Sequence, residues 1–392
     1  MKKISLISMV LIPSTLMVSS FTNPVSVKST SQDRFFAWYK PLPPVAAKKV
    51  KIALLLDTSN SMDGLINQAK SQLWKLVNEL AKLKSGEQKP ELEIALYEYG
   101  NSGLNEKEGY IRQVSPFSND LDVISEKLFA LTTNGGNEFC GYVIRTSVNE
   151  LQWSKLNDNL QIIFIAGNEP FTQGSVSYES ACSTAKEKEI YVNTIYCGSY
   201  DEGVSTKWKS GASLTGGSYM NIDHNQKTIY IETPYDVAIE ALNDKLNSTY
   251  IYYGSDGYSK KQNQIKQDQN ASIYGTSNST ERVLSKVSGF YKNSTWDLVD
   301  ASDEKEFDIL KIKEENLPNE IKGKSAEYKL EFIKSKKAER RAINGEIVEL
   351  SKKRMAFILE KQKTLDKGAS NSLDAVMIDA IKKQAVAKGF EI

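Results

Sequence analysis

Asp57-Thr58-Ser59-Asn60-Ser61 sets one carboxylate and two hydroxyls at alternate positions, directly after the mostly apolar run at residues 51–56. On a loop leaving a strand, such side chains can converge on one point. An oxygen-only set suits a hard cation, Mg²⁺ first, with Mn²⁺ or Ca²⁺ as alternatives, rather than zinc. The same residue types also cap helices, and Ser59 or Ser61 would satisfy free amides if the next helix starts here. The two roles are compatible, and the motif alone leaves both open.

The surrounding pattern supplies a strand before the loop and a helix after it. Residues 51–56 read as a short buried strand. Leu65, Ala69, Leu73, Leu76, Val77, Leu80 and Leu83 recur at helical spacing. Residues 91–99 and 109–114 read as strands and 121–131 as a helix, followed by an apolar run at 162–166 and a helix at 177–188. Strands at 190–196 and 217–222 flank a helix near 205–212, and 234–246 gives one more helix. Such alternation predicts a doubly wound α/β fold, a mostly parallel sheet with helices on both faces. Ligands of open sheets bind outside the carboxyl ends of the strands, where Asp57 falls.

The chain has 392 residues, a quarter of them charged, with a net charge of +1. That balance gives no reason to expect nucleic acid as a partner. Lys2 and Lys3, an apolar stretch at residues 4–18, and Ser19 and Ser20 predict a signal peptide at 1–20 and a secreted or periplasmic protein. Pro13 and Ser14 interrupt that stretch, so no membrane span is expected after cleavage. Residues 21–48, broken by prolines, read as a linker. Export permits disulfides, and Cys140, Cys182 and Cys197 predict one bridge and one free thiol, the pair left open.

Past residue 250 the pattern changes. Residues 255–279 are rich in Lys, Gln, Asn and Ser and read as a polar, solvated excursion, part of a segment at 251–280. The region 281–392 reads as charged and helical. Residues 325–363 form one long helix, or two divided at Asn344-Gly345. Its uneven apolar stripe leaves oligomerisation through these helices open.

These features together resemble a von Willebrand factor type A domain, the integrin I fold, over about residues 49–246, with the domain drawn at 49–250. The resemblance rests on residues 51–61 and 94–100, on Asn134-Gly135-Gly136-Asn137-Glu138, and on 162–170. Residues 190–196 and Thr215-Gly216-Gly217-Ser218-Tyr219 complete it. It implies a metal-ion-dependent adhesion site formed by an Asp and two Ser of the first loop, a Thr of the second and an Asp of the third. Asp57, Ser59 and Ser61 match. In the second loop Asn137-Glu138 stand where a Thr is usual, with Thr133 the other hydroxyl. In the third, Ala166-Gly167-Asn168 replaces Thr-Asp-Gly, with Glu169 a reserve carboxylate. Losing an acid at 167 and gaining one at 138 keeps two carboxylates in the site, Asp57 and Glu138. On this fold all three cysteines fall toward the metal-bearing end, either as a bridge that rigidifies the site or as buried small hydrophobes.

Phe290-Tyr291, Asn293-Ser294, Trp296-Asp297-Leu298-Val299-Asp300 and Asn316-Leu317-Pro318 also resemble segments of secreted or periplasmic bacterial proteins that carry this domain and a charged helical extension. Trp296 reads as part of a small core joining that extension to the domain. A phosphate-binding loop lysine is missing, and the single histidine, His224, has no partner for nucleophilic catalysis. Metal-assisted hydrolysis would have Glu138 or Glu169 as its base. The expectation is a non-enzymatic binding protein whose cation captures an Asp or Glu side chain of an unidentified protein. The alternative is a cell-envelope assembly protein in which the C-terminal helices make the contacts.

Overall fold

Apolar residues at alternate positions of the central strands give the sheet two buried faces, and this decides what packs where. The computed structural model describes residues 47–392 except 157, 224, 226–230, 364–372 and 392. His224, the segment read as a signal peptide and the linker up to residue 46 lie outside the described residues. The strands are β1 (Lys49–Asp57), β2 (Glu91–Tyr99), β3 (Ile111–Ser118), β4 (Leu160–Gly167), β5 (Tyr191–Cys197) and β6 (Tyr219–Ile222). Their order is β3-β2-β1-β4-β5-β6, and only β3 runs antiparallel to its neighbour. Asp57 stands opposite Tyr99, and Leu56 opposite Ala166, so the carboxyl ends of three central strands share one edge.

One face buries Ile52, Leu54, Leu56, Leu96, Ile162 and Phe164 against α1 (Asp63–Leu80) and α2 (Leu121–Phe129). The other buries Ala53, Leu55, Tyr97, Tyr99, Ile163 and Ile165 against α3 (Cys140–Glu150), α4 (Tyr178–Glu187) and, beyond the short α5 (Tyr200–Ser205), α6 (Trp208–Leu214). Parallel strands require such crossovers. The doubly wound α/β class is therefore as the alternation predicted; α3 had no separate signal in the periodicity.

The core continues past residue 250. There follow α7 (Asp236–Ser248), α8 (Gly257–Ser272), α9 (Thr276–Lys286), α10 (Leu298–Ala301), α11 (Ala326–Gln362) and α12 (Leu373–Ala387). Helices α9 and α12 pack on α1. Trp296, Leu373, Met377, Ile381 and Phe390 belong to the same buried cluster as Ile52. Trp296 donates its indole N–H to Asn293 and stacks on Tyr250, a core position as expected.

Residues 255–279 are not a solvated excursion: α8 and α9 bury Gln264, Gln267, Asn278 and Arg282. Polar side chains tolerate burial when paired. Asp122 and Asp268 both pair with Arg282, and Asp268 also with Lys286. The Arg282 guanidinium lies 4.4 Å from the Trp74 ring centre and 5.0 Å from that of Tyr291. Burial lowers the Lys286 ammonium to about 8 even though Asp268 faces it. Composition reads such a layer as exposed because its cement is ionic.

The long helix α11 is single and runs unbroken through Asn344-Gly345. Its buried face carries Ile333, Arg340, Ile343, Ile347 and Arg354. Arg340 pairs with Asp297 and Asp300, and Arg354 with Asp236 and Glu281. Arginines on the inward side are what makes its apolar stripe uneven.

The expected disulfide is absent: all three cysteines are buried free thiols. Cys140 and Cys182 lie in the core on one side of the sheet and Cys197 in the core on the other. The sheet itself separates Cys197 from both potential partners, and the thiols act as small hydrophobes. Among the described residues no helix is long and apolar enough to cross a membrane.

Removing Arg282 leaves Asp122 buried without its cation and Asp268 with Lys286 alone. Arg282→Leu is therefore expected to cost about 3–5 kcal/mol in urea unfolding. A chain ending at Tyr250 strips α9 and α12 from α1; it should lose a cooperative melting transition rather than behave as an isolated domain.

Candidate metal centre

Strand β1 ends on Asp57, and the chain then turns through Ser59 into a single 3-10 turn, Asn60–Met62, before α1. Neither end of this passage uses a side-chain cap. The hydroxyls of Ser59 and Ser61 are thus released from the capping role their types allow; they lie 3.4 Å from each other. Asp57 is fully buried, and its Oδ1 accepts the Ser59 backbone N–H at 2.7 Å.

Glu138, from the second loop, is also buried and faces Asp57. Its backbone N–H donates to Gln173 Oε1 at 2.5 Å, and its carboxyl group receives hydrogen bonds from the Ser59 hydroxyl and the Glu169 backbone N–H. Burial, and after it the facing carboxyl of Glu138, pushes Asp57 well above the usual carboxylate range. Glu138 is raised as well, chiefly by burial, with the charge of Glu169 adding to it. Both carboxyl groups are thus pushed toward the protonated form, as like charges in a dry site require.

Asn168, from the third loop, donates its amide N–H to Ser61 Oγ at 3.3 Å. Asp57 Oδ2, Glu138 Oε2 and Asn168 Oδ1 are all buried, and none has a hydrogen-bond donor. Three loops thus each contribute one oxygen without a donor. Carboxylate, amide and hydroxyl oxygens are the donor set of a hard divalent cation, whose binding would favour the ionised carboxylates. Among the described residues no group of three or more His, Cys, Asp or Glu side chains is placed to hold a metal. A cation here would accordingly rest on two carboxylates, with neutral oxygens completing its shell.

The backbone makes room for the pair. A Cβ on Gly100 would stand 2.8 Å from Asp57 Oδ1 and 2.8 Å from Glu138 Cγ. A Cβ on Gly167 would stand 2.5 Å from Tyr99 Oη and 3.0 Å from Asp57 Oδ2. Tyr99 is buried beneath the site, and its hydroxyl donates to the Ala166 carbonyl at 3.0 Å. An aspartate at position 167 would have no room here, because the tyrosine hydroxyl occupies the space its side chain would grow into.

Of the residues singled out in the sequence, Asp57, Ser59, Ser61 and Glu138 are brought together. Thr133 is not joined to them; its hydroxyl bonds the Asp63 carboxylate at the start of α1. Glu169 is exposed, and what reaches the site is its backbone N–H and the field of its charge. Asn168 and Tyr99 carried no signal of their own, one being a neutral amide beside a missing acid and the other an aromatic at a strand end.

No family model matches the chain, and no curated protein sequence matches it. Several solved structures are similar in fold. Proximal thread matrix protein 1 from the mussel byssus is 12% identical with a TM-score of 0.32, over 45% of this chain and 42% of its own. The SpRpn10 VWA domain is 15% identical (TM-score 0.34) over 44% of this chain and 88% of its own. A von Willebrand factor type A structure from Catenulispora acidiphila is 14% identical (TM-score 0.34) over 45% and 39%. The matched part spans less than half the length of the mussel protein. These likenesses extend to the α/β fold alone.

Restoring an aspartate at position 167 tests the steric reading. Gly167→Asp alone is expected to cost about 1–3 kcal/mol by overpacking. Combined with Tyr99→Phe, the cost should shrink, a positive coupling readable in a double-mutant cycle of denaturation midpoints.

Proposed function

We propose that this is an exported, non-enzymatic binding protein in which Asp57, Ser59, Ser61 and Glu138 hold a divalent cation, Mg²⁺ foremost and Mn²⁺ or Ca²⁺ as alternatives. The cation is presented, on the side of exposed Ser61, to an Asp or Glu side chain of a protein partner. The observation that carries this reading is the trio of buried, donorless oxygens on Asp57, Glu138 and Asn168. Leaving three such groups unpaired costs free energy that cation binding would recover. Export is proposed from the apolar segment at residues 4–18 that follows Lys2 and Lys3.

A second reading makes the protein a cell-envelope assembly component contacting its neighbours through α11. It is favoured by Leu330, Val348, Met355 and Leu359, which stay between 38% and 55% exposed on that helix. Under this reading the cation only ties the loops together.

Calorimetric titration of metal-stripped protein with Mg²⁺, Mn²⁺ and Ca²⁺ tests the first reading, together with an array of peptides each bearing a single Asp or Glu. Saturable cation binding, lost in Asp57→Ala, is expected, with chelator-sensitive retention of those peptides whose flanking residues add contacts beyond the carboxylate. Absence of saturable binding by the parent at millimolar ion would sink it. Retention that ignores the chelator but fails on Val348→Lys/Met355→Lys would favour the second.

A further inference from the structure

We infer that Glu138 is an internal occupant of the cation's coordination shell, filling the place an outside carboxylate would take, so that a partner must displace it. The inference rests on the cation-binding reading above and adds how that site is regulated.

Three observations carry it. First, the placement is built rather than incidental. The second loop is tied to the first by Asn134 N–H donating to the Thr58 carbonyl at 2.9 Å, and Gln173 fixes the Glu138 backbone. Gly100 leaves the space through which the Glu138 side chain passes, since any Cβ there would contact its Cγ at 2.8 Å. Secondly, the carboxylate is only 3% exposed and directed inward, with Oε2 lacking a donor, as Asp57 Oδ2 does. A glutamate this far in, with one oxygen unserved, has its natural counterpart in a cation lying between it and Asp57. Thirdly, the charge count closes without help from outside. Two carboxylates neutralise a divalent ion, and the neutral oxygens of Ser59, Ser61 and Asn168 remain to fill positions around it.

The consequence is competitive. A carboxylate on the same chain acts at an effective concentration of roughly millimolar or more, so a free carboxylate of ordinary weak affinity loses to it. Only a partner whose other contacts contribute enough to lift Glu138 away would gain the ion. The exposed neighbours Gly136 and Asn137 give the displaced side chain a route to water. The site would then hold its metal tightly and remain unresponsive to stray acidic groups.

The experiment uses the full chain, Mn²⁺ as the metal and acetate as the carboxylate probe, read by water-proton relaxation of bound Mn²⁺ and by its Kd. Asp57→Ala, Glu138→Gln, which preserves shape, and Glu138→Thr are compared with the parent. The parent is expected to bind Mn²⁺ with a Kd that acetate leaves unchanged. Both Glu138 variants should weaken Mn²⁺ by about tenfold or more, and acetate should then tighten it and displace relaxing water. Variants that bind Mn²⁺ as well as the parent, while Asp57→Ala does not, would overturn this inference and leave the cation-binding reading standing. Acetate acting on the parent as strongly as on the variants would also overturn it. A parent that binds no Mn²⁺ would overturn both.

Discussion

Two carboxyl groups enclosed in the same dry space cannot both be ionised unless something positive stands between them. Asp57 and Glu138 are in that position, and the surrounding loops are arranged around the need it creates. Gly100 and Gly167 lack the atoms that would intrude, Tyr99 fills the floor, and Ser59 and the Glu169 amide supply the hydrogen bonds the pair can use. A single proton satisfies the pair in part. A divalent cation satisfies it fully and also gives the donorless Asn168 oxygen something to bind. The parallel sheet delivers the ends of β1 and β4, and with them Asp57 and Asn168, to the same edge, and the Asn134–Thr58 hydrogen bond brings in the loop that carries Glu138.

How far this could be read from the chain depended on whether a residue's role follows from its type. Asp57, Ser59 and Ser61 were legible because a strand pattern precedes them and their alternation is visible. Glu138 was legible as a compensating acid once the third loop was seen to lack one. Thr133 has the right hydroxyl, but the chain sends it to Asp63; nothing in residue type distinguishes those destinations. Tyr99 reads as one more apolar residue of a buried strand, and its steric veto over an acid at 167 exists only in three dimensions. Charge counting locates carboxylates and is blind to an amide such as Asn168.

The helical layer shows the opposite failure. Its composition predicts solvent, yet Arg282, Arg340 and Arg354 each sit buried between acids drawn from distant parts of the sequence. Such pairs, each joining an arginine to acids outside its own helix, contribute little net stability compared with a well-packed apolar core, but each punishes the loss of one member. They also tolerate only one docking of α8, α9 and α11, since a shifted helix would strand an ion. A hydrophobicity pattern does not carry that kind of specification, nor does it show that Cys197 faces the opposite side of the sheet from Cys140 and Cys182.

The residue before the first strand meets the segment just after the last helix. Lys48 donates to the Lys388 carbonyl at 2.9 Å and lies 5.1 Å from the centre of the Phe390 ring, while Lys84 and Glu391 form an antiparallel bridge. β1 is central to the sheet, and part of its cover arrives more than three hundred residues later in the chain. A polypeptide wired this way has a high contact order and cannot complete its core while it is still being synthesised. Until α12 docks, its side of α1 stays uncovered, so closure of the core waits on topology.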